Sequence, residues 1–259
     1  MPRFSANLEY LFAEWPFLER FETAARVGFR AVEYPYPYAN DKKKLSGLLS
    51  ANRLEQVLIN SPKGNPEKGE KGFACLTGRT AEFRESIALA LEYAVALRCP
   101  CVHVMAGMAP ENGDRDLAHK ALVESACYAA EAFAAHGIKA LFEPINEKDN
   151  PGYFLTDLSA ALQVIRDAQT PNLYLQFDVY HMQITEPNLA VSIEGALPYV
   201  AHIQIADNPG RHEPGTGEIN FPLLFDLLDR LGYKGWVGCE YVPKEDTIQG
   251  LAWIKDYLS

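Results

Sequence analysis

The sequence lacks the apolar segments that cross membranes or direct a chain into the secretory pathway. No apolar run approaches the length of a membrane span, and the opening Met-Pro-Arg-Phe-Ser-Ala-Asn contains no apolar signal-peptide core. We therefore expect a soluble protein of the cytoplasm that has no membrane partner.

Cysteine is also scarce. There are five cysteines, an odd number, and none has the spacing of a Cys-type metal site. A disulfide scaffold and a Cys-rich zinc site are therefore excluded, and we expect reduced thiols.

Positive charge is in deficit. The chain has 24 Lys and Arg against 34 Asp and Glu, a formal net charge of -10. Nucleic acids and anionic membranes need a basic surface, so we expect neither as a partner. A small anionic metabolite stays possible, because one local cation can dominate a small site.

What the sequence does contain is an unbroken alternation of strand and helix patterns, with 48% apolar residues for a large core. The predicted strands are 4–8, 30–34, 56–60, 101–105, 138–145, 173–177, 199–206 and 235–241. The predicted helices are 16–27, 41–52, 80–97, 117–135, 156–166 (opened by a Thr cap), 189–197, 221–231 and 245–258. A long loop rich in Gly, Pro, Lys and Glu, 61–78, has the length of a lid or binding loop.

Eight such units predict a single (β/α)8 TIM barrel in one domain, 1–259. The alternative is a doubly wound open sheet, which needs the same alternation. Its dinucleotide-binding form is disfavoured because no Gly-x-Gly-x-x-Gly follows the first strand.

Polar residues interrupt the apolar runs at the ends of strands five to eight: Glu143, Asp178, Gln204 and Glu240. In a parallel barrel these strand ends meet at one mouth. Three converging carboxylates repel one another in a partly dry site, and a divalent cation removes that repulsion. Three carboxylates and an amide carbonyl suit Mg²⁺ or Mn²⁺, whereas zinc recruits more His or Cys. A single strand-end acid is more often a helix cap or an ion-pair partner, and Asp178 could cap the turn that follows it.

Further residues are weaker candidates for substrate binding. His181, on the loop predicted above strand six, would donate a hydrogen bond, or else be a solvated loop histidine. Arg211 would bind a substrate carboxylate, or else form a surface ion pair with Glu213. Asn7, at the end of strand one, would line the pocket floor.

Three other kinds of residue have an ordinary structural explanation. His103 and His202 face inward on strands, where a hydrogen-bonded core histidine is the commoner outcome. Lys63 and Lys71 are expected to be solvated, with a lid lysine near an anion as the alternative. The aromatic loop 34–38 is either a pocket wall or a contact in a homo-oligomer.

Four stretches resemble the hydroxypyruvate isomerase family, part of the xylose-isomerase-like barrel superfamily: Glu143-Pro144-Ile145-Asn146, Asp178-Val179-Tyr180-His181-Met182-Gln183, residues 202–221, and Gly238-Cys239-Glu240-Tyr241. The resemblance covers essentially the whole chain. It implies that the four strand-end residues hold a divalent ion, and that Glu143 and Glu240 are the proton-transfer pair. The implied reaction converts hydroxypyruvate to tartronate semialdehyde through an enediolate.

The resemblance leaves alternatives. Related members act on 2-oxo-tetronates; residues 143–146 and 180–183 favour hydroxypyruvate, whereas residues 103–107 look closer to the tetronate branch. Val242 stands where relatives commonly carry Lys, which puts the carboxylate-binding group in doubt and leaves Lys244 or Arg211 as alternatives for that role. Ketose 3-epimerases of the superfamily use His where Gln204 stands. A nuclease would need a His-rich multi-metal site, but the chain has only six His, few of them at the predicted strand ends. A non-catalytic metabolite-binding barrel is the last alternative.

Overall fold

The computed structural model describes residues 1–110 and 113–258, and within these ranges parallel strands close into an eight-stranded barrel in sequence order. The strands are β1 (Arg3–Asn7), β2 (Ala31–Glu33), β3 (Glu55–Asn60), β4 (Cys101–His103), β5 (Lys139–Phe142), β6 (Leu173–Asp178), β7 (Val200–Ile205) and β8 (Trp236–Cys239). Ser5 of β1 pairs with Gly238 of β8 and closes the barrel. The predicted TIM barrel is confirmed.

Helices surround the barrel: α1 (Arg20–Val27), α2 (Lys42–Asn52), α3 (Thr80–Leu97), α4 (Arg115–Ala134), α5 (Leu158–Ala168), α6 (Val179–Thr185), α7 (Leu189–Ala196), α8 (Phe221–Arg230) and α9 (Thr247–Gly250). Short 3-10 helices lie at Phe17–Glu19, Pro37–Ala39, Pro66–Lys68, Leu197–Tyr199 and Ala252–Tyr257. In the described part of the chain, no helix is both long and apolar enough to cross a membrane.

Three local predictions were wrong. Helix α5 is capped by Asp157, whose side chain accepts from the Ala160 amide at 2.8 Å, rather than by a threonine. The predicted C-terminal helix 245–258 is instead one α-turn, which ends at the poor helix former Gly250, followed by a 3-10 helix. Helix α6 was missed altogether, since its seven residues are too short to show a helical period.

The main apolar core lies between the barrel and its helices, and a separate small cluster of Leu58, Cys101 and Leu141 is also buried. Because side chains alternate along a strand, Leu141 and Glu143 share the inward face of their segment. Apolar side chains therefore give way to polar ones towards the carboxyl ends of the strands.

Glu33, at the end of β2, is the centre of a buried polar network. Its carboxylate accepts hydrogen bonds from Ser5 Oγ at 2.8 Å, Gln204 Nε2 at 2.7 Å and Asn7 Nδ2 at 3.3 Å, and lies 2.8 Å from His202 Nε2. Burial alone would raise the pKa of Glu33, but the charge of His202 and these hydrogen bonds lower it below its ordinary value. The buried carboxylate is thereby stabilised in its charged form.

Gly238 makes room for this carboxylate. A Cβ at position 238 would meet both Glu33 carboxylate oxygens at less than 3.0 Å, a separation that Cβ atoms essentially never show. The backbone φ there lies outside the left-handed region, so space rather than conformation requires glycine.

We predict that Gly238→Ala lowers the free energy of unfolding by about 1–3 kcal/mol, because the methyl group displaces Glu33 from its partners. Chemical denaturation measures this, with Gly47→Ala as the control. Gly47 lies in α2, where an added methyl group would have no neighbour within 4 Å, so that variant should gain up to about 1 kcal/mol. Equal stability of Gly238→Ala and the wild type would contradict the steric argument.

Candidate active site

The strand ends bring the seven predicted site residues together at the carboxyl-terminal mouth of the barrel. Glu143 and Glu240 directly follow β5 and β8, while Asp178 and Gln204 lie in β6 and β7. Ligand atoms of Glu143, Asp178 and His181 all lie within 4.8 Å of one another. The mouth is therefore a cluster of carboxylates with a histidine at its centre.

Asp178 has two roles at once. Its Oδ1 accepts from the Tyr180 amide at 2.9 Å and caps α6. Its Oδ2 lies 3.5 Å from His181 Nε2. The capping alternative and the site prediction are thus compatible, because each uses a different oxygen.

His181 lies in α6 rather than on a loop, so its predicted position was wrong, and at 2% exposed it is not the solvated histidine of the alternative. Its Nδ1 accepts from the Asn146 backbone amide at 3.4 Å, which leaves the hydrogen of the neutral ring on Nε2. Burial lowers the pKa of His181 to about 4 and keeps the ring neutral. Nε2 therefore presents an N–H towards Asp178 Oδ2, 3.5 Å away, and towards Glu143 Oε1, 4.0 Å away.

Arg211 points into the mouth instead of pairing with Glu213. Its Nη2 donates to Glu240 Oε2 at 2.9 Å and to Asp178 Oδ2 at 3.5 Å. Its guanidinium lies over the ring of Tyr180, 4.9 Å from the centroid. Arg211 is therefore already shared by two carboxylates.

Asp207 shapes the loop that carries Arg211, and its importance was missed. Its buried carboxylate accepts four backbone hydrogen bonds, from residues 208, 215, 217 and 219, at 2.8–3.1 Å. The loop is rich in Gly and Pro and forms no helix or strand, so this one side chain accepts backbone hydrogen bonds that a regular element would otherwise satisfy.

Glu240 is held from two sides, since Asn7 Nδ2 also donates to its Oε1 at 3.2 Å. Asn7 thus connects Glu240 to Glu33, and its role in lining the floor of the pocket stays a prediction. Gln204 is also fixed: its amide nitrogen donates to Glu33, and its oxygen accepts from Gln176 Nε2 at 2.6 Å. A carbonyl oxygen has a second lone pair, so its role as a metal ligand stays a prediction.

The two inward histidines differ. His202 has Glu33 as its partner, as expected for a core histidine. Among the described residues, neither ring nitrogen of His103 has a hydrogen-bond partner, and its Nδ1 lies 3.3 Å from Glu143 Oε2. Burial lowers its pKa to about 3, so it stays neutral beside the carboxylates.

Two carboxyl groups of the mouth, those of Glu143 and Glu240, resist ionisation. Burial, followed by the charges of Glu240 and Asp178, raises the pKa of Glu143 well above its ordinary value. Burial also raises the pKa of Glu240, although the charge of Arg211 lowers it. A divalent cation would relieve both the desolvation and the repulsion, so this donor set fits a metal ion.

Glu33 is the residue that the sequence analysis missed most clearly. Ala31-Val32-Glu33 has the same pattern that identified Glu143, an acid after apolar residues at a strand end. The predicted strand 30–34 extended past Glu33, so the residue was not recognised as a strand-end group.

Comparison with known proteins identifies the family. Residues 21–257 match the family described as "Xylose isomerase-like TIM barrel". The chain is 46% identical over 258 residues to "2-oxo-tetronate isomerase" of Cupriavidus necator, covering 100% of this chain and 99% of that protein. It is 45% identical over 257 residues to "Hydroxypyruvate isomerase" of Escherichia coli, covering 99% and 100%.

A solved structure agrees with these matches. The crystal structure of "AP endonuclease, family 2 from Brucella melitensis" is 44% identical and superimposes with a TM-score of 0.97 over 99% of both chains. The barrel, its site and the full-length matches lead to one conclusion: this chain belongs to the xylose isomerase-like TIM-barrel family, in a group whose members are named hydroxypyruvate isomerase and 2-oxo-tetronate isomerase.

Proposed function

We propose that the protein is a hydroxypyruvate isomerase, which interconverts hydroxypyruvate and tartronate semialdehyde. The observation that carries this proposal is the pair Glu143 and Glu240, two carboxyl groups with raised pKa values at one mouth. A group that both accepts and returns a proton works best when its pKa lies near the working pH. We place the enzyme in the cytoplasm as one domain of residues 1–259, without membrane or nucleic-acid partners, and a homo-oligomer is compatible with this function.

The proposed cofactor is Mg²⁺ or Mn²⁺, held by Glu143, Asp178, Gln204 and Glu240. The set offers oxygen ligands, which hard cations prefer. When bound, the ion supplies Lewis-acid stabilisation of negative charge on the substrate oxygens. His181 is better suited to donate its Nε2–H to a substrate oxygen than to bind the ion, because its Nδ1 already accepts a hydrogen bond.

The proposed reaction moves the carbonyl by one carbon. One glutamate removes a proton from C3 of hydroxypyruvate, and the other delivers a proton to C2. The oxygen on C3 loses its hydrogen and becomes the carbonyl oxygen, while the oxygen on C2 gains a hydrogen and becomes a hydroxyl. Substrate and product therefore have the same composition. Arg211 holds Glu240 at 2.9 Å and fixes the direction from which this carboxyl group approaches the substrate.

The alternative substrate is a 2-oxo-tetronate, which requires the same proton transfers on a longer acid. It is favoured by the name of the Cupriavidus necator relative, whose 46% identity does not separate it from the 45% of the Escherichia coli relative. Ketose 3-epimerisation is a weaker alternative, since Gln204 stands where those enzymes use His. DNA cleavage, which the name of the Brucella melitensis protein suggests, is disfavoured by the net charge of -10.

We predict that Glu143→Gln and Glu240→Gln each reduce turnover of hydroxypyruvate at least about 100-fold without loss of fold, because an amide cannot exchange the proton. Activity assays and thermal unfolding measure both effects, and NMR in D₂O follows solvent deuterium entering the carbon positions. The matched control is Glu147→Gln, an exposed acid four residues after Glu143. Near-normal turnover by either variant would contradict the assignment of Glu143 and Glu240 as the proton-transfer pair.

We also predict that affinity for Mn²⁺ rises with pH. Since the pKa values of Glu143 and Glu240 are raised, these groups retain protons to higher pH, and binding must displace them. Calorimetry in buffers of different ionisation enthalpy should show proton release at about pH 7 that declines towards about pH 9. Metal binding without proton release at either pH would contradict the raised pKa values.

A further inference from the structure

Segment 61–78, between β3 and α3, is fixed to the mouth of the barrel. The Ser61 amide donates to the His103 carbonyl at 2.7 Å, and the Met105 amide donates to Ser61 Oγ at 3.0 Å. Further along, the Cys75 amide donates to the Ala106 carbonyl at 2.8 Å. Both ends of the segment therefore lie against residues 103–106, which comprise the last residue of β4, His103, and the three residues after it. His103 faces the site.

The backbone places Lys63 and Lys71 side by side on this segment. The amide of Gly72 donates to the carbonyl of Lys63 at 2.8 Å, and Gly72 also bridges to Ala106. Gly72 has φ +108°, and a Cβ there would collide with the Met105 backbone. Glycine is thus required, and the residue before it is held beside Lys63.

Both ammonium groups lie at the rim of the candidate active site. Lys63 Nζ is 4.5 Å from the ring centroid of Tyr36, a residue whose pKa is raised mainly by burial and also by Glu143 and Glu240. Lys71 Nζ donates to Asn150 Oδ1 at 2.6 Å. The Asn150 amide donates to the carbonyl of Asn146, the residue that orients His181. Both lysines are partly buried, so their side chains are solvated only in part.

Neither lysine has a carboxylate partner within 4.0 Å among the described residues. The partly buried acid of the same segment, Glu70, is paired with Arg79 instead, at 2.5 Å. Partial burial and the charge of Lys63 lower the pKa of Lys71, which indicates that the two cations repel each other. An anion between them would remove that repulsion.

The other cation in the mouth is less suitable for a substrate carboxylate. Arg211 is shared between Glu240 and Asp178. Val242, 47% exposed at the opposite rim, supplies no charge. An anionic substrate that approaches three carboxylates needs a local positive field, and Lys63 and Lys71 supply it.

We propose that Lys63 and Lys71 form the carboxylate subsite of the enzyme, which selects short 2-oxo acids over neutral ketoses. This proposal rests on the proposed function. It assigns the anionic end of the substrate to the β4 side of the mouth and leaves Arg211 to hold Glu240.

The test compares the metal-loaded variants Lys63→Met, Lys71→Met and the double substitution with the wild type. The substrates are hydroxypyruvate and dihydroxyacetone, in which a hydroxymethyl group replaces the carboxylate. We expect KM for hydroxypyruvate to rise about 10-fold or more for each single change, and more in KM than in kcat. The ratio of kcat/KM for hydroxypyruvate to that for dihydroxyacetone should fall by the same factor.

Lys68→Met is the matched control, because Lys68 is an exposed lysine of the same segment. Lys71→Arg, which keeps the charge, should recover most of the affinity. If the enzyme is active on hydroxypyruvate and the Lys63 and Lys71 variants keep the wild-type KM, the subsite proposal is overturned while the proposed function stands.

If the wild type does not turn over hydroxypyruvate, the proposed function fails, and calorimetric binding of hydroxypyruvate decides the subsite separately. Loss of binding in the double variant but not in Lys68→Met would support it. Equal binding, or no binding by the wild type, would overturn it.

Discussion

Mutual repulsion between buried carboxyl groups is the constraint on which the mouth of this barrel depends. Glu143, Asp178 and Glu240 are brought together by the ends of three strands, in surroundings that penalise the charged forms of the two glutamates. The protein offsets part of this cost with Arg211, which bridges Asp178 and Glu240. A divalent cation would offset the rest. Burial, together with this repulsion, raises the pKa values of the two glutamates towards the range that suits proton exchange.

Below the mouth, a second buried carboxylate is treated in the opposite way. Glu33 has Ser5, Asn7, His202 and Gln204 around it, and these partners lower its pKa although it is fully buried. The difference is the number of donors: Glu33 is saturated, whereas Glu143 has one hydrogen-bonding amide nearby and two like charges. The carboxylate of Glu33, whose charged form is favoured, fixes the amide of Gln204. Glu143, which resists ionisation, remains able to accept and return a proton.

The sequence predicted much of this arrangement because the information is local. An acid or amide that interrupts an apolar run at a strand end indicates both the strand and the polar side chain that it carries to the mouth, as for Glu143 and Glu240. Helix α6 was missed because it is short, and with it the burial of His181. The surroundings of Lys63 and Lys71 were missed for another reason: a loop's composition indicates its polarity, but the contacts from Gly72 to Ala106 and from Lys71 to Asn150 join distant parts of the chain. The domain extent and the metal-ligand set stay predictions.

The most direct test of the central claim is a paired assay of protein stripped of metal and then supplied with Mg²⁺ or Mn²⁺, on hydroxypyruvate and on a 2-oxo-tetronate. We expect no turnover without metal, recovery on its addition, and a higher kcat/KM for hydroxypyruvate. A preference for the tetronate would transfer the same mechanism to the longer acid. Full activity of the stripped protein, or no recovery with either ion, would contradict the role assigned to the carboxylate cluster.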